Sequence, residues 1–235
     1  MTGAYEGFAI GDLHLPANTE KPMDVFGEKW GNHFRRISED WLSLVESEDV
    51  VLIPGDLSWA MHLEDAAVDI AKIGALPGRK IILRGNHDYW WTSVSKLRSM
   101  LPEGMYALQN DSISMGDFTF CGSRGWLCPG AQGYSQSNDE KIYKREQTRL
   151  ELSLRRTAPE KRIIMMLHYP PFNEKNSSSA FTELAEKYGV EHVVYAHLHG
   201  FSCKNAFEGE RNGVKYTLCS CDHLDFKLKL IAQST

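Results

Sequence analysis

Five short apolar runs in this sequence are each followed closely by an aspartate, an asparagine or a histidine. With the residues that follow them, the runs read FAIGDLH at 8–14, VLIPGD at 51–56, IILRGNHD at 81–88, IIMMLH at 163–168 and VVYAHLH at 193–199. Short aliphatic runs bounded by turn residues predict buried strands. Because the carboxyl ends of parallel strands in an α/β sheet meet at one edge, where ligands bind, we expect these polar side chains to share one site.

Strand-like and helix-like patterns alternate along the chain, which predicts an α/β layered fold. The predicted strands lie near 6–11, 50–54, 80–84, 117–121, 162–167, 191–196, 214–219 and 225–231. An amphipathic helix is predicted between the first two strands, with its aromatic rings in the core rather than in the site. Its apolar residues at helical spacing are Trp30, Phe34, Ile37, Trp41, Leu44 and Val45. A Gly- and Ser-rich loop is predicted over 122–140, followed by a charged helix over 141–156.

Composition and charge narrow the class of protein. A net charge of −5 predicts no basic face for general nucleic-acid binding, although a phosphorylated substrate held through metal is compatible with it. No apolar run approaches the roughly 18 residues of a transmembrane helix. The first six residues lack the basic and apolar parts of a signal peptide, so we expect a cytoplasmic protein. The five cysteines follow no framework or zinc-ribbon spacing and are expected to be reduced thiols.

The polar residues after the predicted strands are suited to divalent metal ions. The candidate ligands are Asp12, His14, Asp56, Asn86, His168, His197 and His199. In extended backbone, two residues spaced like Asp12 and His14 would point to the same side and could chelate one ion, and the carboxylate of Asp56 could bridge two. Oxygen and nitrogen donors without thiolate suit manganese, iron, zinc, cobalt or nickel and leave the metal's identity open. Two divalent ions facing two aspartates would leave a net positive charge that attracts an anion.

Taken in order, these residues match a family pattern. The blocks are Asp12-x-His14, Gly55-Asp56, Gly85-Asn86-His87-Asp88, His168 and His197-x-His199. Together they resemble the calcineurin-like metallophosphoesterase superfamily over residues 8–200. The resemblance implies an α/β fold, a four-layer α-β-β-α sandwich of two mixed sheets flanked by helices, in a single domain spanning 1–235. Ala196 stands where the family usually has glycine, a small change that leaves the resemblance intact. The segment 57–59 lacks the Asp-Arg-Gly of protein serine/threonine phosphatases, so a protein-phosphatase assignment is not favoured.

The resemblance also implies how the ligands divide between two divalent transition-metal ions. One ion would be held by Asp12, His14, Asp56 and His199. The other would be held by Asp56, Asn86, His168 and His197. Asp56 would therefore bridge both ions.

The reaction expected from this site is hydrolysis of a phosphate ester, with a hydroxide bridging the metal ions as the nucleophile. His87 would donate a proton to the leaving oxygen. Asp88 would either orient His87 or stabilise the turn, and Arg84 would either contact phosphate or form an ordinary surface ion pair. Five aromatic residues near the blocks would form a substrate platform or simply pack in the core. They are Trp59, Tyr89, Trp90, Trp91 and Trp126.

The substrate expected is a phosphorylated small molecule. The sequence leaves open whether it is a monoester, a diester or a nucleotide pyrophosphate. A different class of function is a catalytically silent interaction module that keeps the fold. Such a module could lose site residues freely, whereas Asp56 and His87 are both present. The oligomeric state is also open.

Overall fold

The computed structural model describes residues 4–17 and 23–234. The strands in these ranges are β1 (Glu6–Ala9), β2 (Val50–Ile53), β3 (Arg79–Ile82), β4 (Met105–Ala107), β5 (Ile113–Met115), β6 (Phe118–Ser123), β7 (Arg162–Leu167), β8 (His192–Tyr195), β9 (Gly209–Arg211), β10 (Val214–Leu218) and β11 (Lys229–Gln233). The α-helices are α1 (His33–Leu44), α2 (Leu63–Gly74), α3 (Val94–Arg98), α4 (Gln136–Leu154) and α5 (Ala180–Lys187).

The strands form two mixed sheets. The first has the order β11-β1-β2-β3-β4, in which β1 to β4 are parallel and β11 is antiparallel. The second has the order β5-β6-β7-β8-β10-β9, in which β6, β7, β8 and β10 are parallel and the two edge strands are antiparallel. The five runs singled out in the sequence correspond to the ends of five strands, of which β1, β2 and β3 lie in one sheet and β7 and β8 in the other. The shared edge is therefore made by two sheets rather than by one.

Alternating side chains place apolar residues on both faces of the sheets. On β2, Val50 and Leu52 pack in the cluster between the two sheets, whereas Val51 and Ile53 pack in the cluster that includes Trp41 of α1. Each such side chain contributes about 1.5–3 kcal/mol when it is fully buried. A third cluster joins α4 and α5 to the outer face of the second sheet. These layers confirm the predicted four-layer α-β-β-α fold.

The predicted amphipathic helix is present but shorter than its pattern. Trp30 belongs to a 3-10 turn that precedes α1, and Leu44 is exposed rather than part of the core. The charged helix begins at Gln136, five residues before the predicted start at 141. The strand predicted at 225–231 begins only at Lys229, because residues 221–226 form turns and Asp225 has a positive φ of 53°.

The predicted loop over 122–140 begins later than its composition suggests. β6 continues to Ser123, and Gly122 lies inside this strand. A Cβ at Gly122 would collide with the carbonyl oxygen of Met166 on β7, so the glycine here allows close approach of two strands rather than a turn.

None of the helices in the described ranges is both long and apolar enough to cross a membrane. All five cysteines are free, in agreement with the prediction.

Candidate metal centre

The loops that follow β1 and β2 carry the first candidate ligands in left-handed backbone. The φ angles are 57° at Asp12, 45° at His14, 52° at Asp56 and 76° at His197. The expected extended backbone at Asp12 and His14 is therefore wrong, although their donor atoms still lie in one group. Aspartate and histidine tolerate this region better than most residues. The turns let the two loops hydrogen-bond to each other, since the N–H of Asp12 donates to the carbonyl of Gly55 (3.0 Å) and that of His14 to Asp56 (2.9 Å).

Asp88 holds the loops beneath the site. One carboxylate oxygen accepts from the backbone N–H groups of Asp56 and Gly85 (both 2.8 Å), and the other accepts from Leu57 (2.9 Å) and from the indole N–H of Trp90 (3.0 Å). Asp88 is fully buried, and burial raises the pKa of its carboxyl while these hydrogen bonds oppose the rise. These contacts support the turn-stabilising alternative for Asp88.

Asp12, His14 and His199 form one group of possible ligands. Their donor atoms all lie within 4.8 Å of one another. The Nε2 of His199 is 3.8 Å from Oδ2 of Asp12, and the Nε2 of His14 is 3.8 Å from Oδ2 of Asp56. The donor atoms of Asp12, His14 and His199 can accommodate one cation between them.

His168 is at the centre of a second group. Its Nδ1 lies 2.9 Å from the carbonyl oxygen of Pro54, which assigns the ring proton to Nδ1 and leaves a lone pair on Nε2. That Nε2 is 2.6 Å from Oδ1 of Asn86, 3.4 Å from Oδ2 of Asp56 and 3.3 Å from Nδ1 of His197. Asn86 Oδ1 is also 2.9 Å from the His197 nitrogen. Converging acceptor atoms of this kind are stabilised by a cation placed among them.

Buried atoms without partners support the same conclusion. Among the described residues, Oδ1 of Asp12 and Nδ1 of His14 are buried and make no hydrogen bond. A buried polar atom of this kind costs about 1–3 kcal/mol when unsatisfied. The donor atoms present therefore fit divalent metal ions.

The charges in the site point the same way. Burial raises the pKa of Asp12 and of Asp56, and the neighbouring carboxylates of Asp88 and Asp12 raise that of Asp56 further. Burial also lowers the pKa of His14 and of His168 well below the ordinary histidine value. The imidazoles are thus neutral at physiological pH, which is the form that binds metal.

The structure divides the ligands less simply than the resemblance implies. Asp12 belongs to both groups of clustered donor atoms, once with His14 and His199 and once with Asp56 and His168. Oδ2 of Asp56 still lies near both histidines of these groups, His14 and His168. Both aspartates thus stand between the two halves of the site.

Asp222 is a site residue that the sequence analysis missed. One of its oxygens accepts from Nδ1 of His199 (2.8 Å), and the other accepts from the N–H of Gly200 (2.9 Å) and from Lys29 (3.1 Å). Burial lowers the pKa of His199, but the carboxylates of Asp12 and Asp222 outweigh burial and raise it overall. Asp222 closely follows β10, so the rule used for the other strand ends could have found it.

His87 opens onto a cavity of about 450 Å³ above these groups. Its ring centre lies 5.8 Å from that of His14 and 4.7 Å from that of Trp59. Trp59 stacks on His14 with ring centres 4.8 Å apart. Trp30, expected only in the core, also lines this cavity, and its ring centre lies 6.3 Å from that of His14 in an edge-to-face arrangement. Aromatic walls therefore surround a polar floor.

The other predicted site residues lie elsewhere. Arg84 lines a separate cavity instead of the one above His87, and its role as a phosphate contact stays a prediction. Trp90 and Trp91 are buried in the core, and Tyr89 is exposed. Trp126 packs against the guanidinium of Arg124 and forms no part of the first cavity. Of the aromatic residues proposed as a platform, Trp59 is the one that lines it.

Comparison with known proteins identifies the family. The family model described as calcineurin-like phosphoesterase matches residues 8–201, and this chain belongs to that family. Family membership places the protein among hydrolases. No curated protein sequence matches the chain at a significant level.

Solved structures share the fold at low sequence identity. A phosphopantetheinyl hydrolase from Mycobacterium tuberculosis is 13% identical with a TM-score of 0.61, over 98% of this chain and 97% of its own. A protein of unknown function from Aquifex aeolicus is 15% identical with a TM-score of 0.52, over 96% and 95%. A protein from Thermus thermophilus is 13% identical with a TM-score of 0.54, over 97% and 99%. At these identities the likeness concerns the fold alone.

Proposed function

We propose that the protein is a phosphohydrolase that uses two divalent transition-metal ions to hydrolyse phosphate esters. The observation that carries this proposal is the convergence of nitrogen and oxygen atoms on Nε2 of His168, which lies 2.6 Å from Oδ1 of Asn86 and 3.4 Å from Oδ2 of Asp56 while Nδ1 of the same ring faces the carbonyl oxygen of Pro54. Unpartnered atoms of Asp12 and His14 support it from the other side of the site, within the described residues.

In this proposal Asp12, His14 and His199 hold one ion, and Asn86, His168 and His197 hold the other, with Asp56 between them. When bound, such ions supply positive charge to the phosphoryl oxygens and acidify a water molecule for attack on phosphorus. Manganese, iron, zinc, cobalt and nickel all suit the donors.

The chain's own residues orient the reaction. The backbone N–H of His87 donates to Oδ1 of Asp56 (2.8 Å), which fixes the loop so that the imidazole faces the cavity. Its ring N–H donates a proton to the leaving oxygen. Trp59 and Trp30 wall the cavity and exclude water from the side of the leaving group.

The substrate we propose is a phosphorylated small molecule whose leaving group enters the aromatic cavity. A cavity of about 450 Å³ accommodates a leaving group of nucleotide or cofactor size. Diesters and nucleotide pyrophosphates place an organic group on both sides of phosphorus and are the alternative substrates. A cytoplasmic location remains part of the proposal.

The first experiment measures metal content and activity together. Purified protein is stripped with EDTA, reloaded with each candidate metal, and assayed against phosphomonoesters, diesters and nucleotides. We expect about two ions per chain and activity that returns only with metal. Full activity after confirmed metal loss would overturn the proposal, and metal binding without any hydrolysis would favour the interaction module.

A pair of variants tests the position of Asp56. We expect Asp56→Asn to reduce occupancy of both ions, because its carboxylate lies near both His14 and His168. His14→Ala should reduce mainly one ion. Elemental analysis after equilibrium dialysis measures the difference, and equal single-ion losses would show that Asp56 does not bridge.

A further inference from the structure

A second polar cavity lies at the same edge of the sheets as the candidate metal centre. Its volume is about 210 Å³, and its lining includes three arginines, Arg84, Arg124 and Arg149, together with the carboxylate of Glu146. Arg84 follows β3, Arg124 follows β6, and the other two residues lie on α4. The cavity is thus built where both sheets and a helix meet.

The positive charges in this cavity exceed the negative ones. Oε1 of Glu146 is 2.9 Å from Arg149, 3.6 Å from Arg124 and 3.9 Å from Arg145, so one carboxylate serves three guanidinium groups. Arg84 adds a further positive charge on the lining. Like charges held together in this way are stabilised by an anion between them.

Hydrogen-bond donors in the lining also lack partners. Within the described residues, Nε of Arg84 and Nε of Arg124 are buried and make no hydrogen bond. Guanidinium groups present planar pairs of N–H donors that match the oxygens of phosphate or carboxylate. The lining also holds two buried acceptors without partners, Oε2 of Glu146 and Oδ1 of Asn110, but its three arginines outnumber its single carboxylate.

We propose that this arginine cavity binds a compact oxyanion of the phosphoryl class, either free phosphate or a second phosphoryl group of the substrate. Arg84 lies two residues before Asn86, and the carbonyl oxygen of Arg124 accepts from the N–H of His168 (3.1 Å). The anion would therefore sit beside the candidate ligands. Its assignment to the substrate rests on the proposed function, whereas anion binding itself does not.

Phosphate titration of the full-length, metal-stripped protein tests the site directly. Calorimetry and ³¹P NMR should show saturable binding of one phosphate per chain. Arg149→Met should weaken this binding about tenfold or more, as expected for losing a charge-assisted hydrogen bond.

Arg145→Met is the matched control. It removes the same charge from the same helix and from the same partner, Glu146, but Arg145 does not line the cavity. We expect less than about a twofold change for this control. Arg149→Lys keeps the charge without the planar pair of donors and should lie between the two, which keeps the test valid if Arg149→Met does not fold.

Two results would overturn the proposal. One is the absence of saturable phosphate binding in the wild-type protein. The other is an equal loss in Arg149→Met and Arg145→Met, which would show only a diffuse effect of helix charge. Circular dichroism confirms that each variant is folded.

The source of the anion is determined with metal-loaded enzyme. If it belongs to the substrate, Arg149→Met should raise KM for adenosine 3′,5′-bisphosphate but not for adenosine 5′-monophosphate. If it is free phosphate, both KM values stay unchanged while phosphate binding is still lost. An enzyme that hydrolyses neither compound would count against the proposed function and leave the phosphate titration standing.

Discussion

At the scale of single residues, burial sets the protonation of the site before any metal binds. Burial shifts all four groups toward their neutral forms, since it raises the pKa of the Asp12 and Asp56 carboxyls and lowers the pKa of the His14 and His168 imidazoles. A bound cation reverses the preference of the carboxyls without changing that of the imidazoles, because metal ligation needs both groups unprotonated. Metal uptake should therefore release protons.

The role of His87 is tested by changing the leaving group. His87→Ala should slow hydrolysis of alkyl phosphate esters by about 10²–10⁴-fold, because a poor leaving oxygen needs a proton. Nitrophenyl esters should lose much less, since their leaving group is already acidic. Single-turnover rates for both esters measure this, with bound metal quantified as a control. Equal losses on both esters would remove His87 from the role of general acid.

Asp222 positions His199 and is tested in the same region of the chain. Asp222→Asn should weaken metal binding by about 10–100-fold, because the carboxylate that orients the imidazole is lost. Asp225→Asn is the control, since Asp225 is exposed and pairs only with Arg36 among the ion pairs of the described residues. Competition with a metal-binding dye measures both affinities. Unchanged affinity in Asp222→Asn would show that His199 is oriented without it.

At the scale of secondary-structure elements, the loops after β2 and β3 are packed against each other with no room for a side chain. A Cβ built at Gly85 would collide with the backbone nitrogen and Oδ1 of Asp56. The glycine thus lets the loop that carries Asn86 reach the loop that carries Asp56. This close approach brings candidate ligands from neighbouring strands together.

Gly85→Ala should therefore damage both the fold and the metal centre. We expect a loss of about 1–3 kcal/mol in the free energy of unfolding, typical of overpacking, together with reduced metal content. Gly133→Ala is the control, because it strains a positive φ of 84° but meets nothing within 4 Å. Chemical denaturation and elemental analysis compare the two. A metal content equal to the control's would show that the loops adjust freely.

The elements also show which features a sequence can predict. The strands that end in ligands were predicted within a few residues because their aliphatic runs are buried on both faces. The short strands β4, β5 and β9 were missed, since three residues carry too little periodicity to be recognised. The left-handed backbone at Asp12 and Asp56 could not be predicted, because it depends on hydrogen bonds between loops distant in sequence.

At the scale of the whole molecule, His192 joins the two sheets. It lies on β8, and its Nδ1 is 3.2 Å from the carbonyl oxygen of Ile231 on β11 of the other sheet. Its Nε2 is 2.8 Å from the hydroxyl of Thr217 on β10. Burial lowers the pKa of His192 from 6.5 to about 4. The folded protein therefore keeps this imidazole neutral where the unfolded chain would protonate it.

This difference predicts acid sensitivity. Between pH 6.5 and about 4 the unfolded chain binds more protons at His192, so the contribution of His192 to the free energy of unfolding falls as the pH drops through this range and is constant above it. The full shift corresponds to about 3 kcal/mol. His192→Gln should lose this part of the pH dependence, and the exposed His62→Gln should keep it. Urea denaturation from pH 4 to 8 measures the slopes, and identical slopes in all three proteins would contradict the prediction.

The arrangement of the whole molecule is the least accessible to sequence reasoning. The ordered blocks were sufficient to predict the family and the four layers, but not that Arg84 would join Arg124 and Arg149 in a cavity of its own. Arg84 and Arg149 are more than sixty residues apart in the sequence, and no local pattern links the three arginines. Asp222 differs from these arginines because it follows a strand, β10, as the predicted site residues do, but its contact with His199 depends on where β10 lies in the second sheet.

At the candidate ligand positions with left-handed backbone, the residue that suits metal binding is not the residue that gives the greatest stability. Side chains at Asp12, His14, Asp56 and His197 each hold backbone in a region that costs an ordinary residue about 1–2 kcal/mol and costs glycine almost nothing. A library of variants screened only for heat resistance in the presence of a chelator should therefore accumulate glycine or asparagine at these positions. The survivors would be sturdier proteins that no longer bind metal.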